Sequence, residues 1–118
     1  NPTLTEGQLH GGVAQGIGQA LMEFVSFEEN TGQLLSGSLM DYTLPRATML
    51  PNFEATLEGS PTDANILGVK GVGQAGCIAA PQTIVHAVLN ALSPLKIVHL
   101  DMPLTSQRIW RAISSSRA

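Results

Sequence analysis

Charge is scarce in this chain: 13% of its 118 residues are Asp, Glu, Lys or Arg, against about 25% in soluble domains generally. A free-standing domain carries more, so part of this surface is expected to be covered by further protein. Cys77 is the single cysteine, which excludes an internal disulfide, a multi-cysteine metal site and the disulfide-scaffold class. Lys and Arg number six against nine acids, for a formal net charge of −3. They form no basic patch, so nucleic acid is not an expected partner. No apolar run reaches the ~18 residues of a membrane helix, and there is no signal-peptide pattern. These features read as a soluble, cytoplasmic chain with no membrane partner. His10, His86 and His99 are too scattered for metal-ligand spacing. The start at Asn1-Pro2 without an initiator methionine suggests a piece of something longer or a processed product.

Glycine, by contrast, is plentiful, with 12 residues. The densest stretch is Gly68-Val69-Lys70-Gly71-Val72-Gly73-Gln74-Ala75-Gly76, and it is the candidate site. Glycines have no Cβ to hold a ligand off the backbone and can take positive φ at no steric cost. Exposed amides there can hold an anionic or polar group, and Gln74 is the side chain placed for polar work. A dinucleotide fingerprint would need an acidic residue about 20 positions further on and a second β-α unit. Asp101 lies beyond that offset and too little chain follows, so the loop is not read that way. Cys77 reads as a small packed residue at a helix start rather than a nucleophile.

Periodicity supplies the elements. Leu9, Val13, Ile17, Leu21 and Phe24 mark one face of a helix over 6–24, with a ridge of Gly12, Gly16 and Ala20 beside it that admits a close backbone neighbour. Residues 25–28 and 33–39, with Asn30-Thr31-Gly32 between them, predict a hairpin. Phe53, Ala55 and Leu57 alternate as in a third strand, and residues 66–70 and 97–100 read as short strands. A helix is predicted over 77–92 with Pro81 in its first turn, and a last one capped by Thr105, with Ile109 and Trp110 inward. Asp41 and Arg46 are candidates to pair. The order implies a single domain over 1–118 of class α+β, a two-layer sandwich of helices on a largely antiparallel sheet.

Taken together, Glu6-Gly7-Gln8-Leu9-His10-Gly11-Gly12, Gln15-Gly16-Ile17-Gly18, Met40-Asp41-Tyr42, Pro45-Arg46, the loop at 68–73 and Asp101-Met102-Pro103-Leu104-Thr105 resemble the C-terminal end of the molybdopterin-binding large subunit of the molybdenum hydroxylases. That family includes xanthine dehydrogenase, aldehyde oxidoreductase and aerobic carbon monoxide dehydrogenase. The resemblance implies a molybdopterin cofactor, often in the cytosine dinucleotide form, and hydroxylation with water as oxygen source. It implies as partners the rest of the large subunit and iron–sulfur and flavin subunits or domains, with self-association a further option. It carries pterin contact onto Gln8, whose amide offers both donor and acceptor, and onto Lys70, Gly71, Val72 and Gly73. Gln74 falls where the family has a glutamate that takes a proton from the attacking oxygen. Glutamine keeps the shape without the basic oxygen, so even an intact enzyme is expected to hydroxylate poorly unless another base substitutes. The family's other cofactor loops lie outside the matching stretch, so the isolated chain is expected to hold no cofactor and to be inactive. The competing reading is a noncatalytic module or remnant that serves as a binding or assembly partner.

Overall fold

The structure is a computed structural model and describes residues 1–117. Four α-helices carry it: α1 (Pro2–Leu21), α2 (Ala75–Ile78), α3 (Ala80–Leu92) and α4 (Ser106–Ser116), with single 3-10 turns at Ala47–Met49 and Ser93–Leu95. Asn1 caps α1 with its side-chain oxygen on the Leu4 N–H, and Pro2 sits where a missing N–H does no harm. Thr105 caps α4 as predicted, accepting from the Arg108 N–H at 3.3 Å.

The small-residue ridge of α1 does the packing. Gly12, Gly16, Ile17, Gly18 and Ala20 are the buried residues of that helix, and α2 and α3 lie on it through Gly76, Ala80 and Pro81. At the far end, the Leu104 N–H donates to the Ala20 carbonyl at 2.6 Å, and the Leu104 side chain is buried beside it. The helical face is shallower than the periodicity suggests: Ile17 is buried, but Phe24 is 50% exposed and Trp110 on α4 is 65% exposed. The second helix is split at Ala79, because Pro81 lacks the N–H that would continue the ladder.

The expected two-layer sandwich is not present. Among the described residues there is no sheet; the only antiparallel bridge is Phe27 with Leu34. The hairpin therefore forms only at its tip. Glu28 N–H donates to the Gln33 carbonyl at 2.8 Å, and Leu35 N–H to the Ser26 carbonyl at 2.8 Å. Residues 53–58, 66–70 and 97–100 are not strands. The physical reason is that alternation signals a half-buried extended segment, whereas a strand needs a neighbour for its backbone. The alternation is real over 53–56, with Phe53 and Ala55 half-buried and Glu54 and Thr56 exposed, but Leu57 is exposed as well and nothing pairs with the segment.

The 21-residue stretch Ala75–Leu95, taken as one, holds an 18-residue window of mean hydropathy 1.3, long and apolar enough to cross a membrane by those measures. Gln82, His86 and Asn90 break the run and hide this in the sequence. Here it rests on α1 through Gly76, Ala80 and Pro81.

Candidate cofactor site

The glycine loop is pinned by a residue that the sequence reading passed over. Asn65 Oδ1 accepts from the N–H groups of Leu67 and Val69, both at 3.1 Å, and its Nδ2 donates to the Val69 carbonyl at 2.8 Å. Asparagine mimics a backbone turn in this way, and its position just ahead of the glycines was the available signal. Gly68 then turns with φ +64, and the Thr62 N–H closes onto its carbonyl at 3.1 Å. A Cβ at Gly68 would also sit 3.2 Å from the Pro61 ring, a tight contact added to the strain that a side chain meets at this positive φ.

Gly71 and Gly73 differ. Neither has positive φ, and a Cβ on either would meet nothing within 4 Å. The chain's own packing and backbone therefore do not call for glycine at these two positions.

In front of Gly71 lies a pocket of about 720 Å³. Its walls are Thr5 and Leu9 from α1, Leu57 and Glu58 from the straight segment, and Lys70, Gly71 and Val72 from the loop. Three of the five residues predicted to contact a cofactor thus line one cavity. Gly73 and Gln8 lie outside its lining; Gln8 is exposed on α1, three residues after Thr5 and so on the adjoining flank. The Lys70 ammonium donates to Ser60 Oγ at 3.0 Å. The N-terminal end of α1, which has no acidic residue in its first turn, also reaches the lining through Asn1 and Thr5. Glu58 is the acidic residue of the lining.

Gln74 stands at the N-cap of α2 with no side-chain capping bond. Its backbone carbonyl accepts from the N–H groups of Cys77 and Ile78, at 3.1 and 3.2 Å. The backbone holds the turn, and the exposed side-chain amide is left for other work. Cys77 is half-buried and points its Sγ at the same carbonyl, 3.5 Å away. Asp41 accepts from the Ser38 hydroxyl at 3.0 Å rather than pairing with Arg46. His99 meets Asp101 at 3.1 Å on the surface.

The pocket thus stands between the start of a helix and a glycine loop, with Lys70 in its lining. Residues 1–51 match the molybdopterin cofactor-binding domain family. The chain is 41% identical to the nicotine 6-hydroxylase large subunit of Paenarthrobacter nicotinovorans, over 95% of its own length and 14% of the relative's. It is 36% identical to the carbon monoxide dehydrogenase large chain of Hydrogenophaga pseudoflava, over 96% and 14% respectively. Among solved structures, quinoline 2-oxidoreductase from Pseudomonas putida 86 superposes with a TM-score of 0.89 at 39% identity, covering 97% of this chain and 14% of that one. The chain belongs to the molybdopterin-binding domain of molybdenum hydroxylase large subunits. It spans about a seventh of the length of the relatives it matches, which are themselves single components of multi-subunit enzymes.

Proposed function

We propose that this chain acts as the C-terminal part of a molybdenum hydroxylase large subunit, supplying pterin contacts and the loop that carries the base position in oxidative hydroxylation. The observation that supports this reading is the open, glycine-lined wall at Gly71, where a residue without Cβ serves nothing in the chain itself but admits a flat heterocycle. Backbone amides of Lys70, Gly71, Val72 and Gly73 would hold the pterin edge, and the Gln8 amide would pair with its polar atoms from the α1 side. The Lys70 end suits the anionic part of the cofactor, with a cytosine dinucleotide extension as the longer form the pocket can take.

The molybdenum carried by molybdopterin, when bound, would supply the two-electron redox centre. The chain's own residues bind and orient it, exclude water along Leu9, Leu57 and Val72, and present Gln74 where a carboxylate would accept a proton. An amide cannot take that proton at neutral pH. The remaining cofactor contacts, the substrate channel and the iron–sulfur and flavin carriers belong to other parts of the assembly, so the isolated chain is a cytoplasmic component without turnover of its own. Gln74 also supports a second reading, a noncatalytic module that retains the cofactor fold.

The test is Gly71→Leu in the complete large subunit, with molybdopterin measured by the fluorescence of its oxidised form. The open space lets the side chain be accommodated, so protein yield holds while pterin content falls at least severalfold. Unchanged pterin content overturns the reading.

A further inference from the structure

Resting on the cofactor-loop reading above, we propose that Asn65 is the positioning residue of that loop. By fixing the peptide between Val69 and Lys70 it orients the free amides of Lys70 and Gly71 before a pterin arrives, and so sets how long the pterin is held. One side chain grips both backbone groups of Val69. Asn65 Oδ1 accepts from the Val69 N–H at 3.1 Å and Nδ2 donates to the Val69 carbonyl at 2.8 Å, with the Leu67 N–H a third bond at 3.1 Å. In a trans peptide the carbonyl and the following N–H point opposite ways. Drawing the Val69 carbonyl onto Asn65 therefore turns the Lys70 N–H away from it.

The far end of the same stretch is tied as well, since the Ala75 N–H donates to the Val72 carbonyl at 3.0 Å. Between these two ties the N–H groups of Lys70, Gly71 and Val72 have no partner among the described residues, and all three residues line the pocket. The loop is thus held at Val69 and Val72 and unspent between them, which is the arrangement of a preorganised binding edge.

The approach to this edge is built from within. The Thr62 N–H donates to the Gly68 carbonyl at 3.1 Å and the Gly68 N–H to the Asn65 carbonyl at 3.0 Å. The Lys70 ammonium reaches Ser60 Oγ at 3.0 Å, so residues 60–70 close on themselves as a compact surface loop. The three Asn65 side-chain bonds are exposed and span four residues or fewer. Water competes for such bonds, so their effect falls on the shape of the loop more than on the stability of the fold. A carboxamide suits the place because it offers an acceptor for the two N–H groups and a donor for the carbonyl. Aspartate would keep the acceptor and set an oxygen against the Val69 carbonyl; alanine would lose all three bonds.

The test compares Asn65→Ala and Asn65→Asp with the parent in the complete large subunit loaded with molybdopterin. Pterin still bound at intervals after dilution, read by the fluorescence of its oxidised form, gives the release rate. Without the staple the competent loop shape is one of several, and apparent affinity falls with its population. Asn65→Ala should release pterin about 10-fold faster, with the melting temperature of the pterin-free subunit nearly unchanged, and Asn65→Asp should fall between it and the parent. Hydrogen exchange should show the Leu67 and Val69 amides protected in the parent and open in Asn65→Ala. Parent-like release from Asn65→Ala overturns the proposal, as does a lower melting temperature with unchanged release, the result of a merely structural side chain. If Asn65→Ala yields no assembled subunit, Asn65→Asp decides: severalfold faster release supports the proposal and parent-like release overturns it. Gly71→Leu in the same series separates the two claims. Full pterin content in Gly71→Leu refutes the proposed function, whereas loss there with parent-like release from Asn65→Ala refutes the role of Asn65 alone.

Discussion

Gly12 and Gly76 touch backbone to backbone: a methyl group on Gly12 would lie 2.9 Å from the Gly76 Cα, and one on Gly76 would lie 3.1 Å from the Gly12 Cα and overlap the Leu9 carbonyl oxygen. This contact sets the glycine loop and α2 against α1, and so fixes where Gln74 and the pocket stand relative to Leu9. Backbone atoms cannot swing aside as a flexible side chain can. Gly12→Ala and Gly76→Ala should each destabilise the assembled subunit by about 1–3 kcal/mol. Gly11→Ala, which meets nothing within 4 Å, should stabilise by roughly 0.5–1 kcal/mol through helix entropy. Thermal melts of the three variants check the signs; a Gly12→Ala protein as stable as Gly11→Ala would mean that the helix and loop are not in contact.

The turn at Glu28 carries a pH dependence of known direction. The Thr31 hydroxyl and the backbone N–H groups of Asn30 and Thr31 donate to its carboxylate, lowering its pKa from 4.5 to about 2. A depressed carboxylate stabilises the turn fully above the unfolded value and loses that contribution as pH falls from 4.5 toward 2. Carboxyl-carbon NMR titration should place the Glu28 midpoint near the lower figure, and Glu28→Gln should remove the acid-induced change at Asn30 and Thr31. A midpoint at the ordinary glutamate value would show that the turn does not hold in solution.

At the other end of α1, the Tyr42 hydroxyl donates to Glu23 Oε2, and the Glu23 side chain and the Pro45 ring crowd the bare Cα of Gly18. That cluster ties the irregular link to the helix. The bond to Glu23, with its negative charge, raises the Tyr42 pKa above 10.0. A raised acid contributes fully below its unfolded pKa and loses the contribution as pH rises through the folded value. Tyr42 is the only tyrosine, so ultraviolet titration of phenolate reads it directly. Its midpoint should move down on Glu23→Gln; no movement would separate the two residues.

How much of this was legible in the residues divides along a physical line. Local signals held: the Thr105 cap, Pro81 in a first turn, the close-packing ridge of Gly12, Gly16 and Ala20, and the hairpin tip at Asn30-Thr31-Gly32 are all decided within a few residues. Sheet formation did not hold, because the alternation at 53–56 states only that the segment is half-buried, and nothing pairs with it. Burial was overread for the same reason at Phe24 and Trp110, whose apolar faces have no cover here. At the site, the loop stood out by its glycines and Gln8 by resemblance, while the staple at Asn65 was visible as turn chemistry and missed because it bears no chemical role.

Gln74 is where the two functional readings part. Its side chain makes no capping bond and its backbone carbonyl holds the α2 turn, so Gln74→Glu changes one atom's chemistry without disturbing the fold. If the position is that of the proton acceptor, the carboxylate restores a base worth about 10²–10⁴ in rate. Turnover of the complete enzyme should rise by a factor in that range, and its pH–rate profile should gain an acidic limb where the new carboxylate protonates. The limb is the sharper readout, since a better-folded protein would raise turnover at every pH alike. If Gln74→Glu leaves both rate and profile unchanged in a pterin-loaded enzyme, residue 74 accepts no proton, and the noncatalytic module becomes the reading to pursue.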